Sequence, residues 1–300
     1  MAQAEATGRR AVADRAASRA VRRGFPTDRI ALYALLILIA LFFILPLAWM
    51  ISTAFKAESA VFTDRDILMG FIPSEPTLAN FEFILTASGN TPVFRWMLNS
   101  FIVAGVGTAL TLILTSMSAY AFARIDFPLK NVLFSILIAT LLLPSVMFLV
   151  PQFLLVDILG LFNSYPALIL PGLAGVFGIF FMRQFFLGIP LELEEAAYVD
   201  GASRFRTFWS VILPMAGPAL ATLAVITFLA YWNDYLWPLI VCQGEGCTLP
   251  AGLRTFQGAY TAAFGLLMAG ATMAAIPVLV LFVVAQRWIV QSVASAGIKG

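Results

Sequence analysis

The chain has 300 residues, 61% of them hydrophobic and 11% charged, with a formal net charge of +2 and a mean hydropathy of +0.93. Soluble domains are closer to half apolar and a quarter charged, so this composition excludes an ordinary soluble domain and indicates a polytopic membrane protein. Histidine is absent and no G-x-x-x-x-G-K-S/T phosphate loop is present, which excludes Ser-His-Asp and Cys-His catalysis, histidine metal sites, and ATP binding through that motif.

Residues 1–28 are rich in Ala and Arg. They read as a disordered basic cytoplasmic tail, because the apolar stretch that follows is too long for the h-region of a signal peptide. A membrane span needs about 20 mostly apolar residues. Six segments qualify: 30–55, 96–123, 132–156, 167–182, 211–241 and 265–290. The fourth is short and is expected to continue toward Phe186, with Arg183 snorkelling at its end. Pro144 and Pro151 in the third span and Pro277 in the sixth are expected to bend their helices. The expected fold is all-α, with a six-span domain over residues 29–300.

Lys and Arg near the span ends set the orientation. Arg9, Arg10, Arg15, Arg19, Arg22, Arg23 and Arg29 precede the first span, and Arg124, Lys130, Arg183, Arg204, Arg206, Arg287 and Lys299 fall on the same side. The opposite side carries only Lys56, Arg65, Arg95 and Arg254. Both termini are therefore placed in the cytoplasm. Residues 56–94 form the largest outer loop, interrupted by Pro73, Pro76 and Pro92.

Thr108, Thr111, Thr115 and Ser118 form a polar stripe on the second span. Such a stripe suits close helix packing first and pore lining second. Between the fourth and fifth spans lies a polar loop, about 187–214. Pro190 suits a first helical turn, and Glu192, Glu194 and Glu195 favour the positive end of the helix dipole. Ala196 and Ala197 are compact helix formers, Gly201 can end the helix at positive φ, and Ser203 can cap the next one. Phe205, Phe208 and Trp209 then share one face, as in a helix lying at the membrane surface.

Asp234 is the one acid set deep in an apolar run, about 20 residues or roughly 30 Å beyond Pro214. An acid in that setting is a functional candidate by default. Its neighbours Tyr231, Trp232, Asn233, Tyr235 and Trp237 can stack on sugar rings, or can form an aromatic belt at the outer interface with Asp234 as a cap. Cys242 and Cys247 share the next loop. They read either as two free thiols or, in an oxidising compartment, as a disulfide.

The segment Glu195-Ala196-Ala197, then Gly201, then Val211-Ile212-Leu213-Pro214 nine residues later resembles the cytoplasmic loop of binding-protein-dependent ABC importer permeases. The family pattern there is E-A-A, three residues, G, nine residues, I-x-L-P, and Val211 replaces its first Ile. Asn99-Ser100-Phe101 through Ala119-Tyr120-Ala121-Phe122-Ala123-Arg124, the run from Tyr231 to Leu239, Gln286-Arg287-Trp288 and the terminal Gly297-Ile298-Lys299-Gly300 are similar to the smaller, six-span permease of the maltose-type carbohydrate group. The resemblance covers nearly everything from the first span onward.

The resemblance implies a permease subunit in the cytoplasmic membrane that does no covalent chemistry. It implies a second, different permease as partner, two cytoplasmic ATP-binding subunits, and an extracytoplasmic solute-binding protein. No cofactor is expected on this chain, since the ATPases use the ATP, and no nucleic-acid partner. Glu194, Glu195, Ala196, Ala197, Gly201, Leu213 and Pro214 would form a coupling helix and its flank against an ATPase, with Lys299 and Gly300 close by. Asn99, Thr108, Thr111, Thr115, Tyr231, Trp232, Asn233 and Asp234 would be substrate-path candidates. The loop from Cys242 to Phe264, with Gly244, Gly246 and Gly252 for flexibility, would reach toward the binding protein. Rival readings are an importer permease for amino acids, phosphate or polyamines, and a secondary transporter or channel that needs no ATPase.

Overall fold

The computed structural model describes residues 26–63, 70–86, 91–258 and 263–297, and these are all-α. The basic tail lies outside the described residues, except that Pro26, Thr27 and Asp28 already belong to α1 (Pro26–Ala54). The first outer loop carries α2 (Glu58–Thr63) and α3 (Ala79–Thr86). From α3, the Asn80 side-chain amide donates to the carbonyls of Ala54 (2.9 Å) and Lys56 (2.8 Å). It thereby satisfies acceptors that the end of α1 leaves open.

The second span is α4 (Val93–Arg124), 32 residues without a break. The third is two pieces, α5 (Lys130–Ala139) and α6 (Leu149–Ile158), bent by 100°. Pro144 causes the break: it has no N–H to donate and holds Leu143 extended, at ψ 127. Pro151 sits in the first turn of α6, where a missing N–H costs nothing, and breaks no helix.

The fourth span joins α7 (Tyr165–Ile169) and its 3-10 continuation to α8 (Val176–Leu187) through a 46° bend. It runs past Phe186, as expected. Arg183 does not snorkel: its Nε donates to the Phe122 carbonyl (3.1 Å), and its guanidinium lies 4.2 Å from the centre of the Phe134 ring.

The fifth span departs most from the expectation of one run over 211–241. After α9 (Glu192–Val199) and α10 (Arg204–Thr207) come a π-helical turn, Phe208–Ile212, and α11 (Leu213–Met215). The chain then bends by 79° into α12 (Gly217–Trp232). Gly217 and Pro218 open α12, and Pro218 cannot donate back across the bend. α12 rises roughly 24 Å over its residues. Residues 233–235 then separate it from α13 (Leu236–Val241). The outer loop holds α14 (Leu249–Gly252), and the last span is α15 (Phe264–Gly297), which Pro277 does not interrupt. The Glu58 carboxylate accepts from the Phe264 and Gly265 N–H groups, both at 3.0 Å, and so caps the positive end of α15.

α4 is the spine, packed against α8 and α12. Close approach depends on small residues, as within bilayers generally. A Cβ at Gly178 would stand 3.1 Å from the Thr115 methyl group, and one at Gly175 3.0 Å from that of Thr111. α1 leans on α15 and is otherwise exposed along its apolar length.

Candidate functional site

At the Arg124 end of α4, the polar loop forms two short helices with a defined corner. Gly201 sits at φ +82. The N–H of Gly201 donates to the Tyr198 carbonyl (3.0 Å) and that of Ala202 to the Ala197 carbonyl (2.9 Å), the paired bonds of a Schellman end. Ser203 accepts from the Arg206 N–H (3.3 Å) and caps α10. Pro190 lies before α9 rather than in its first turn, and Leu191 takes the N-cap position.

The faces of α9 differ sharply. Glu195, Ala196, Tyr198, Val199 and Gly201 are exposed, and Ala197 is partly so. Glu194 is only 1% exposed. Its carboxylate pairs with Arg124 Nε at 2.8 Å and accepts from the Tyr120 hydroxyl at 2.9 Å. Arg124 also donates to the carbonyls of Phe186 (2.8 Å) and Ile189 at the end of α8. Glu194 was expected among the residues that face a partner; it is turned into the protein instead, because a buried guanidinium and a phenol receive it. Phe208 is buried against Tyr120 and Phe186, while Phe205 and Trp209 stay exposed, so the three do not form one surface-lying face. Leu213 is half-buried and Pro214 exposed, both in α11 just before the bend.

A second feature is a cavity of about 290 Å³ among α4, the fourth span and α12. Thr111, Tyr231 and Asp234 line it. So do Gly172, Gly175, Phe177 and Gly178 from the fourth span, and Leu223, Ile226, Thr227 and Ala230 from one face of α12. Tyr231 donates to the Ile169 carbonyl (3.1 Å) and lies 3.4 Å from the Thr111 hydroxyl. Its ring fits because Gly107 and Gly172 carry no side chain; a Cβ at either would come within 2.8 Å of the ring. Asp234 accepts from the Trp237 N–H (3.4 Å), capping α13 across the break that follows α12. The break places it at the cavity, not at the end of a continuous 30 Å helix.

Five other path candidates lie elsewhere. Asn99 is buried, donates to the carbonyls of Glu245 (2.7 Å) and Cys247 (2.8 Å), and accepts from the Tyr165 hydroxyl (2.7 Å). Trp232 is buried and donates to the Ala274 carbonyl (3.1 Å), and Asn233 is exposed. Thr108 and Thr115 are buried in the helix packing, with Thr115 donating to the Thr111 carbonyl (2.6 Å). The lining residues 223, 226, 227, 230, 231 and 234 repeat at helical spacing, a signal visible in the sequence once Tyr231 and Asp234 are placed on one face.

At the opposite end of α4, the loop after α13 is folded down rather than extended. Cys242 and Cys247 form a disulfide. Trp96 donates to the Gly244 carbonyl (2.7 Å), and the Leu249 N–H donates to the Ser100 hydroxyl (2.8 Å). Gly252 lies against the Trp96 ring, and Gly246 against Asn163. Over residues 242–258, therefore, Gly246 and Gly252 serve close packing, not reach. Replacing both cysteines by serine is expected to cost about 2 kcal/mol through loop-closure entropy. An unchanged thermal midpoint in detergent would show that the hydrogen bonds hold the loop alone.

Residues 112–295 match the family described as binding-protein-dependent transport system inner membrane component. The chain is 35% identical over 263 residues to the arabinooligosaccharides transport system permease protein AraQ of Halalkalibacterium halodurans, covering 87% of this chain and 93% of that one. It is 33% identical over 272 residues to the lactose transport system permease protein LacG of Rhizobium radiobacter, covering 90% and 96%. Among solved structures, a chain of a bacterial ABC transporter involved in the import of the acidic polysaccharide alginate superposes with a TM-score of 0.76 at 25% identity, covering 88% of this chain and 98% of that chain.

Proposed function

The chain belongs to the family of binding-protein-dependent transport system inner membrane components, and from that membership we propose that it is one permease subunit of an ATP-driven carbohydrate importer in the cytoplasmic membrane. The sugar specificity is supported by the names of relatives such as those for arabinooligosaccharides and lactose. In this reading a second permease completes the path and covers part of the exposed apolar surface, including that of α1. Two cytoplasmic subunits bind and hydrolyse ATP, a solute-binding protein delivers the sugar outside, and this chain does no covalent chemistry.

The observation that carries the reading is the two-faced helix α9. Its inner face is fixed by Glu194, while Glu195, Ala196 and the Gly201 corner stand exposed at the end of the molecule that carries Arg124, Arg183, Arg204 and Arg206. A short exposed helix that ends in a bare glycine corner, with Ala196 and Val199 outward among its polar residues, can enter a cleft on a soluble partner. Leu213 and Pro214 carry its displacement into the bend before α12. The membrane-extracted protein is expected to retain an ATPase subunit through affinity purification. A preparation that is intact and transport-competent without any ATPase would remove the importer reading.

The cavity supplies the substrate-facing part of the proposal. Thr111, Thr227, Tyr231 and Asp234 offer hydroxyl and carboxylate groups, and Phe177 an aromatic side chain, in a mostly apolar wall, the composition of a typical small-molecule site. Asp234→Asn isolates the charge, since asparagine caps a helix about as well as aspartate. Uptake is expected to fall several-fold with the complex still assembled. Full uptake would leave Asp234 as a helix cap only.

A further inference from the structure

Two routes join α9 to the cavity. One follows the chain through the Gly201 corner, the π-helical turn at Phe208–Ile212 and the 79° bend before α12. The π-helical turn and the bend interrupt the regular helical hydrogen-bond ladder, so the route is compliant. The other crosses space from Glu194 to Arg124 and Tyr120, which lie on the unbroken helix α4. Tyr120 and Thr111, a cavity residue, are nine positions apart on that helix, roughly 14 Å.

Resting on the importer reading, we propose that Arg124 and Glu194 are positioning residues that make α9, α8 and α4 one moving body. A partner's displacement of the coupling helix then reaches the span that lines the cavity directly. Arg124 suits this task because its planar guanidinium offers several donors in fixed directions. It holds Glu194 on one side and the Phe186 and Ile189 carbonyls on the other. Arg183 on α8 returns the connection by donating to the Phe122 carbonyl on α4. Each arginine thus sits at the negative end of its neighbour's helix, where a cation is favoured. The pair is buried, with the Glu194 side chain 2% and the Arg124 side chain 11% exposed. Charges withdrawn from water in this way are costly to separate, so the link stays closed as the body moves. Glu192 and Glu195, exposed on the same helix, have no such role.

The test uses the whole complex, with its ATPases and binding protein, in lipid. The two native cysteines are joined to each other, so thiols introduced as Asp126→Cys and Glu192→Cys can carry spin labels on exposed positions after α4 and at the start of α9. Their separation is expected to hold within about 2 Å, the scale of small helix adjustments, between the nucleotide-free state and the state held by a non-hydrolysable ATP analogue. A shift of several ångströms would overturn the proposal. In parallel, Glu194→Gln is expected to lower sugar taken up per ATP hydrolysed about tenfold. The double variant Arg124→Met with Glu194→Gln removes the stranded buried charge and is expected to recover the amount of assembled complex without recovering that ratio. Recovery of both would make the pair a purely structural contact and overturn the proposal. The two readings fail separately: wild-type uptake with no ATPase bound removes the importer, whereas a retained ATPase with a changing label distance removes only the link.

Discussion

Gly201→Asp is expected to leave the protein in the membrane at normal amounts and to abolish uptake. The position is exposed, lies outside the spans, and has open space around an added Cβ, so neither insertion nor core packing is affected. The cost falls on the backbone. At φ +82 a side chain costs roughly 1–2 kcal/mol, and relief requires unwinding the corner that ends α9 and aims its exposed face. The new carboxylate would also stand beside Asp200, changing the charge of the surface offered to a partner. Gly201→Ala carries the strain without the charge and should retain part of the activity. Unchanged uptake by Gly201→Asp at normal expression would count against the coupling role.

Gly252→Val is expected to cause the largest loss of stability. A Cβ at Gly252 would overlap the Trp96 ring. That ring cannot retreat easily, because its Nε1 is bonded to the Gly244 carbonyl at 2.7 Å and its edge packs against Phe256. Overpacking of this kind costs about 1–3 kcal/mol, and more where the neighbours are rigid. Either Trp96 leaves its site or α14 lifts from α4, and both open the outer cap that the disulfide closes. The measurement is the thermal midpoint of the detergent-extracted protein, which should drop by several degrees. An unaltered midpoint would mean that the cap yields more freely than its contacts imply.

The spans were legible where apolar character alone decides them. α1, α4 and α15 follow from runs long enough to cross a membrane, and Pro46 in α1 and Pro277 in α15 interrupt neither helix. The breaks were only partly legible. Pro144 announced an interruption, but the 100° angle depends on how α5 and α6 pack afterward. The fifth span misled because residues 211–241 are apolar enough overall to read as one run, although Gly217-Pro218 and Asn233-Asp234 stand where the bend at Ala216 and the stop at Trp232 occur.

In the polar loop between the fourth and fifth spans, Gly201 and Ser203 took the conformations their chemistry favours, because both act locally. Glu194 could not be read correctly from its own surroundings. Its partner Arg124 is 70 residues earlier, and only the packing of α9 beneath α4 brings them to 2.8 Å. Asn99 misled for the same reason, since the carbonyls that bind it lie on the disulfide loop. The cysteine pair was undecided by spacing and is decided by that loop's fold.

The central claim is that this chain moves sugar only as part of an ATP-driven assembly, with α9 as the joint. The direct measurement is sugar uptake into proteoliposomes rebuilt from purified parts. Uptake is expected only when this chain, a second permease, the ATPases, ATP and the sugar-loaded binding protein are all present, and it should vanish when ATP is withheld. Uptake by this chain alone, without nucleotide or ATPase, would contradict the account.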